Sequence, residues 1–301
     1  MFRCKYYFGE TMTVSMLLCA AITQSTPAPR VVFNSFLERT SFFLQGADPM
    51  VRINTMQIAF PPSEQFKTKC VIKSGDQVLG ETEFRDHMAV RAGSFAEVGA
   101  TKASQPLGTT DGKRTIEVYV NDTLAGKFEF TLTKTSNGDP LDPKVTWKMV
   151  GPWKDYAFLK HRPDDGYRQD LILTYWVAEH ELTGKEKIIT TTIKKGATVI
   201  ATDPKRYPNG PVYSRFEMPL MRPNKNPVTV KDLPSMAGTY TVEVKEGARM
   251  LRNWTFSIAN GAVVAHPRSD FNKTEAIAWL PTRKQNGNQV DPFTMFWLGP
   301  K

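Results

Sequence analysis

The sequence is poor in cysteine, with only Cys4, Cys19 and Cys70 among 301 residues. The first two lie in a leader that is expected to be removed, which leaves Cys70 in the apolar run Cys70-Val71-Ile72. A lone thiol in such a run is most often a small buried hydrophobic side chain. A disulfide framework and a cysteine metal site are therefore excluded for the mature chain.

Catalytic motifs are also missing. The chain has no Gly-x-Ser-x-Gly nucleophile motif and no His-Glu-x-x-His zinc helix, and its four histidines are scattered. The run Glu179-His180-Glu181 resembles a ligand cluster, but in a strand both carboxylates would face away from the imidazole. We predict no catalytic residue, no metal site and no cofactor, and we expect a protein that is not an enzyme. An enzyme whose site is assembled from converging loops is kept as an alternative.

Long hydrophobic runs are absent too, since the apolar stretch at residues 14–22 is too short to span a bilayer. It follows the basic residues Arg3 and Lys5 and ends in the small residues Cys19-Ala20-Ala21, as signal peptides do. Residues 1–29 are therefore predicted to be a signal peptide with a linker. We expect an exported protein that is periplasmic, on the cell surface or extracellular, with a cytoplasmic location as the alternative.

Basic side chains exceed acidic ones, 39 to 30, which gives a formal net charge of +9. Such a charge attracts anionic partners. No Lys/Arg run is interleaved with stacking aromatics, so we expect no nucleic acid partner. An anionic polymer of the cell envelope, a partner protein or a membrane surface remains possible. Many of the basic residues lie in the second half of the chain: Lys185, Lys187, Lys194, Lys195, Lys205, Arg206, Arg222 and Lys225.

What the sequence does contain is an internal repeat. Residues 112–132 recur at 238–258 with a constant offset of 126 positions, which pairs Ile116 with Val242 and Phe128 with Trp254. A second echo, with an offset of 121, pairs Ile72 with Ile193 and Gly75 with Gly196. Two echoes in the same order indicate a shared topology rather than one recurring hairpin.

Both copies alternate apolar and polar residues with a period of two. Tyr240, Val242 and Val244 alternate with polar residues, and Trp254, Phe256 and Ile258 do the same after a polar turn. This period predicts strands with one buried face. A single hairpin cannot bury that face, so each copy must pack on a second sheet.

The segment from Gly238 to Val244, followed by a polar turn and Trp254-Thr255-Phe256, resembles the last two strands of an immunoglobulin-like or fibronectin-type sandwich. In these folds a Tyr at the start of the penultimate strand donates a hydrogen bond to upstream backbone, the tyrosine corner. Tyr240 occupies that position, and Arg114 replaces it in the first copy. The resemblance implies a fold and no particular function.

We therefore predict an all-β protein of two tandem immunoglobulin-like antiparallel β-sandwich domains. The first covers residues 30–134, the second covers 145–262, and residues 135–144 link them. Residues 31–45 are expected to form a strand and then a short helix or turn. Residues 263–301 form a C-terminal tail, which should dock on the body because it ends in an apolar cluster. Strands are predicted at residues 51–60, 67–73, 77–84, 89–91, 114–120 and 127–133 of the first domain, and at 145–150, 171–178, 188–194, 198–202, 212–218, 239–245 and 253–258 of the second.

The expected function is that of a non-catalytic exported binding or structural module of the cell envelope. The alternative is a carbohydrate-binding surface protein, whose site would use exposed aromatics of the second domain. The candidate ligand-binding residues are aromatic or basic: Trp153, Tyr156, Tyr167, Trp176, Lys194, Lys195 and Arg206. The same aromatics could instead belong to the core or to the packing between domains. Trp254 is expected in the core on both pattern and repeat.

Overall fold

The computed structural model describes residues 28–31, 33–59, 66–91, 95–136, 138–139, 144–155, 157–161, 171–208, 212–222, 224–264, 284–285, 288–289 and 294–300. The predicted signal peptide lies outside this range except for its last two residues. The fold is all-β, and its paired strands run antiparallel, as the period of two predicted. In the described part of the chain, no helix is long and apolar enough to cross a membrane.

In the residues that the structure describes, the first unit contains one short helix and eleven strands. The helix α1 spans Phe33–Glu38. The strands are β1 Arg30–Val31, β2 Thr40–Phe43, β3 Met50–Ile53, β4 Thr55–Ala59, β5 Thr68–Ser74, β6 Gln77–Arg91, β7 Phe95–Ala100, β8 Ser104–Pro106, β9 Gly112–Val120, β10 Thr123–Ser136 and β11 Val145–Val150. Eight strands form one sheet in the order β1-β4-β7-β6-β5-β9-β10-β11, and β2-β3-β8 form a smaller sheet. The order β1, α1, β2 matches the strand and short helix predicted for residues 31–45.

The described part of the second unit has two large sheets and the separate pair β20–β21. Its strands are β12 Ala157–His161, β13 Leu171–Ala178, β14 Ile188–Lys195, β15 Thr198–Arg206, β16 Tyr213–Pro219, β17 Gly238–Glu246, β18 Arg249–Ala259, β19 Ala262–Val263, β20 Lys284–Gln285, β21 Asn288–Gln289, β22 Thr294–Trp297 and β23 Gly299–Pro300. Three 3-10 helices cover Pro152–Asp155, Glu179–Glu181 and Val230–Ser235. The order β16-β13-β12-β22 makes one sheet, and β15-β14-β17-β18-β19 makes the other, with β23 also on β18. β20 and β21 pair only with each other.

The second core lies between these two sheets. It joins Leu173 and Tyr175 of β13 to Val242 of β17 and Trp254 of β18. The prediction that Trp254 belongs to the core is confirmed, because its side chain is almost fully buried. Burial also raises the pKa of the Cys70 thiol in the first core, so Cys70 acts as the small hydrophobic side chain that its surroundings indicated.

The internal repeat is confirmed at the level of strand register. In the first unit Ile72 opposes Ile116, and in the second unit their counterparts Ile193 and Val242 oppose each other. The hairpin β5–β6 has a bulge after Ile72, and β14–β15 has one after Ile193. The four-stranded order β6-β5-β9-β10 therefore recurs as β15-β14-β17-β18.

The corner at the start of the penultimate strand is also present in both copies, with different chemistry. The Tyr240 hydroxyl donates to Met236 O over 2.7 Å. Arg114 is buried at the equivalent position, and its guanidinium donates to Thr110 O and Leu107 O. Thr110 and Met236 each lie four residues before their donor, so Arg114 does in the first unit what Tyr240 does in the second.

The strand β11 belongs to the same sheet as β10. β11, which was assigned to the second domain, pairs with β10 along six residues from Thr131↔Val150 to Ser136↔Val145. The proposed linker begins at residue 135, yet Thr135 and Ser136 belong to β10. Residues 138–139 and 144, which are described between these strands, lie in the connection of a hairpin. Alternation alone could not assign β11, because it does not show which neighbour a strand pairs with.

An aromatic cluster joins the two units. Trp153 lies between Phe128 of β10 and Tyr213 of β16, with ring centroids 6.2 and 5.1 Å away. The Tyr213 hydroxyl donates to Leu37 O in α1 over 3.0 Å. Gly151 makes room for this packing, since a Cβ there would lie 1.8 Å from the Trp153 ring. The hydrophobic core of the first unit thus continues into the second.

Candidate ligand-binding groove

The aromatics predicted to bind carbohydrate do not form an exposed face. Trp153 is buried between the units, and Trp176 is buried with its ring against Phe158 at 5.6 Å. Both belong to the core that the two units share. The prediction is wrong for these two residues because their hydrophobic area is removed from water by tertiary packing, the other reading that the sequence allowed. Tyr156 and Tyr167 lie outside the described residues.

The predicted basic residues are not brought together either. Lys194 and Lys195 lie at the end of β14, whereas Arg206 opposes Ile188 at its start. Six residues of extended strand separate the two ends, about 20 Å at ~3.3 Å per residue. The Lys194 ammonium is 2.8 Å from the Glu243 carboxylate, and the equivalent pair Lys73–Glu117 occurs in the first unit. Lys194 is therefore part of the repeated framework.

Several other basic residues of this half are neutralised by neighbours. Lys187 pairs with Glu179, Lys205 with Asp203, and Arg222 with Asp232. Local ion pairs of this kind weaken the field that an anionic polymer would meet. The concentration of positive charge seen in the sequence is thus reduced on the folded surface.

A groove opens where the first unit meets the second. Its volume is about 520 Å³, and it is lined by residues 42–45, by residues 146–149 and by Glu179, His180 and Val212. The first two segments are held together by backbone bonds, because Trp147 N donates to Leu44 O and Gly46 N donates to Val145 O, each over 2.8 Å. One wall is therefore continuous β structure.

Trp147 fixes the floor of the groove. Its indole Nε1 donates to Gly46 O over 3.1 Å, and the Lys134 ammonium lies 5.7 Å from the centre of its ring. Trp147 and Met149 are both buried, whereas Thr146 and Lys148 between them point to solvent. The alternation of β11 thus gives the groove an apolar floor and a polar rim.

The opposite wall is the 3-10 helix Glu179–Glu181. Glu181 accepts two hydrogen bonds from the Arg252 guanidinium, at 2.6 and 2.7 Å, and one from Ala178 N at 2.7 Å. The single Arg252 Nη2 thus contacts both Glu181 oxygens, and a charge-assisted contact of this kind restrains both side chains. His180 is therefore presented to the groove from a fixed support.

A second carboxylate fastens the chain just after this wall. Glu246 is buried and accepts from Thr183 N, Gly184 N and the Arg249 guanidinium. Burial opposes its ionisation, but these hydrogen bonds outweigh burial and lower the pKa of Glu246 to about 2. The segment after the 3-10 helix is thereby tied to the hairpin β17–β18.

The His180 side chain is exposed at the groove, and its pKa is lowered from the ordinary value. Partial loss of water lowers its pKa, the Lys148 and Arg252 cations act in the same direction, and Glu181 opposes them. A neutral imidazole offers one hydrogen-bond donor and one acceptor. Near it, Lys148 supplies donors and the exposed Gln45 amide supplies both functions.

The rim of the groove carries an apolar surface that the sequence did not reveal. Phe43, at the end of β2, is 52% exposed, and its partner across the strands, Met50, is also exposed. The neighbouring Phe42 is half-buried and packs on Phe130. In a run of consecutive phenylalanines, nothing local shows which ring turns outward.

The groove combines an exposed aromatic ring with hydrogen-bonding side chains. This composition suits recognition of a ligand with apolar and polar faces. Among the described residues, no three His, Cys, Asp or Glu side chains are grouped as metal ligands. Comparison of the chain with protein-family models, with curated proteins and with solved structures gave no match.

Proposed function

We propose that the protein is a non-catalytic binding module of the cell envelope, and that its ligand contacts the groove between the two units. The observation that carries the proposal is the exposed Phe43 ring in one groove with Gln45, Lys148 and His180, where paired strands form one wall and the 3-10 helix Glu179–Glu181 forms another. Residues that contact ligands are often placed in this way at the junction of two units. The module is exported if residues 1–29 act as a signal peptide.

We further propose that the two units are related to immunoglobulin-like sandwiches. The hydrogen bond from Tyr240 to Met236 O supports this relationship, and so does the recurrence of one register in both units. Proteins of that kind use a stable β framework to present a binding surface. The groove would be such a surface, shared by two copies of the framework.

The test is cosedimentation of the purified full chain with the isolated envelope fraction of the producing cells. The Phe43→Ser variant should bind at least tenfold more weakly, because it removes the exposed ring without touching the buried floor. The matched control is Val78→Ser, since Val78 is also 52% exposed but lies on the β5–β6 hairpin away from the groove. Equal binding by wild type and Phe43→Ser would refute the groove as the site.

The ligand class can be read from the same assay. Protease treatment of the envelope fraction removes protein partners, and periodate oxidation destroys polysaccharides that carry vicinal diols. The carbohydrate alternative is supported if only periodate abolishes binding. If the positive charge of Lys148 contributes, Lys148→Glu weakens binding to an anionic polymer and raising the salt concentration does the same.

A further inference from the structure

The last described strands complete both sheets of the second unit. β22 pairs with β12 at the edge of the four-stranded sheet, and β23 pairs with β18 in the other sheet. Between them Leu298 is buried in the second core, and its N–H donates to Ala157 O over 2.9 Å. One short segment, residues 294–300, therefore fills a slot that reaches both sheets.

The slot has the recognition chemistry of a strand-binding site. Paired backbone groups along β12 hold the incoming strand, and one apolar side chain anchors it in the core. This combination is how extended peptides are recognised when they add to a sheet edge. Without the segment, β12 would be the edge strand of its sheet.

A long stretch of chain separates the segment from the rest of its unit. Val264 is the last residue described before this stretch, and β22 begins at Thr294 after it. Within the stretch the structure describes the strands β20 and β21 alone. The residues on either side of β20–β21, 265–283 and 290–293, could together span up to about 75 Å at roughly 3.3 Å per residue. That length exceeds the diameter of a domain of this size, roughly 35 Å. A connection of this length allows residues 294–300 to reach the slot of another copy.

We propose that the slot is a strand-acceptor site that also takes residues 294–300 of a second copy, which gives a reciprocal dimer by strand exchange. The contacts of the segment are the same in either copy, so exchange sacrifices none of them. The residues that connect the segment to its own unit set its effective concentration near its own slot. The fraction of exchanged dimer rises as the protein concentration approaches that effective concentration.

The test traps the exchanged strand with a disulfide between full-length chains. Lys160 and Met295 are opposite each other in the register. Since the bond from Leu298 N to Ala157 O marks a hydrogen-bonded pair, the alternation places Lys160–Met295 at a close, non-hydrogen-bonded pair. Lys160→Cys is placed in one chain and Met295→Cys in another, with Cys4 and Cys19 replaced by serine in both.

The two variants are partly unfolded, refolded together at high concentration and oxidised. We expect a covalent heterodimer whose yield rises with protein concentration. Adding Leu298→Asp to the Met295→Cys chain should lower that yield at least tenfold, because the anchor no longer fits the core. As a positive control, a single chain that carries both Lys160→Cys and Met295→Cys should form the disulfide within itself. This result shows that the geometry of the slot permits the bond.

The yield of disulfides that form by random collision is measured with a chain that carries Thr133→Cys in place of Met295→Cys. Thr133 is an exposed position on β10. A heterodimer yield no greater than this control, or one unaffected by Leu298→Asp, would overturn strand exchange. If Lys160→Cys fails to fold, the adjacent opposing pair His161→Cys and Thr294→Cys replaces it and is judged in the same way.

Discussion

At the scale of single residues, the two corners show one structural task performed by different side chains. Tyr240 reaches its carbonyl with one hydroxyl, whereas Arg114 donates to three carbonyls, those of Leu107, Thr110 and Lys113, and also to Ser74 Oγ at 3.1 Å. A buried guanidinium needs this many acceptors, because an unsatisfied buried charge is costly. The first unit therefore depends more on its corner than the second.

This difference is testable by removing the donors. Tyr240→Phe deletes one hydroxyl and should lower the free energy of unfolding by about 1 kcal/mol. Arg114→Ala removes the guanidinium that donates to Leu107 O and Thr110 O and should cost about 2–4 kcal/mol. Urea denaturation of both variants measures the two losses. An Arg114→Ala loss below that of Tyr240→Phe would show that its guanidinium does not carry the corner.

Trp254 is the clearest core residue of the repeat. It opposes Val242 in the sheet and lies 5.8 Å from the Tyr175 ring of the facing sheet. Trp254→Ala should cost about 3–5 kcal/mol through lost transfer energy and the cavity left behind. Denaturant unfolding checks this value, with Phe43→Ala as an exposed aromatic control that should change stability far less. A loss under about 1 kcal/mol would contradict burial of Trp254.

At the scale of elements, the Glu246 carboxylate makes the attachment of residues 183–184 to the β17–β18 hairpin depend on pH. Its folded-state pKa is about 2, whereas a carboxyl group in the unfolded chain titrates near about 4.3. The stabilisation is therefore complete above the unfolded value and is lost as the pH falls towards 2.

Glu246→Gln removes this contribution. The difference in free energy of unfolding between wild type and Glu246→Gln should be largest at neutral pH and should shrink as the pH falls from about 5 to about 2. Thermal unfolding across this range measures it, with the exposed Glu186→Gln as the matched control. A difference that stays constant with pH would show that the Glu246 charge is not the cause.

Alternation predicted many of the strands because they have one buried face, whereas β13 is largely apolar along its length and is buried on both faces. β13 begins and ends where the sequence indicated, and β11 does too. The prediction missed β2, β7, β8, β12 and β19 to β23, which are short and lack a long alternating run. The groove could not be predicted, because Phe43, Trp147 and His180 come from distant parts of the chain and their proximity depends on how the units pack.

At the scale of the whole molecule, the aromatic cluster makes the two units one cooperative structure. Trp153 contacts both, and the core of the first unit extends through Phe158 to Trp176 and Ala178 of the second. We expect a single unfolding transition in calorimetry, because neither unit can unfold without exposing core of the other. Two well-separated transitions in the wild type would contradict this continuity.

Trp153→Ala should break the coupling. It removes the ring that both units share and should cost about 3–5 kcal/mol. Calorimetry of this variant is expected to show two transitions. Phe43→Ala is the control, since it also truncates an aromatic side chain but leaves the shared core intact. If the Trp153→Ala variant still unfolds in a single transition, the coupling between the two units does not depend on Trp153.

The close fit of Trp153 beneath Gly151 also bears on how quickly a ligand could be captured. Because the two units pack tightly at Trp153, the distance between the groove walls is set during folding. No domain closure is then needed after the ligand first contacts the groove. Capture would then follow simple second-order kinetics, without a slow isomerisation step. Because the groove is already formed in the free protein, its residues lose little conformational entropy when a ligand binds.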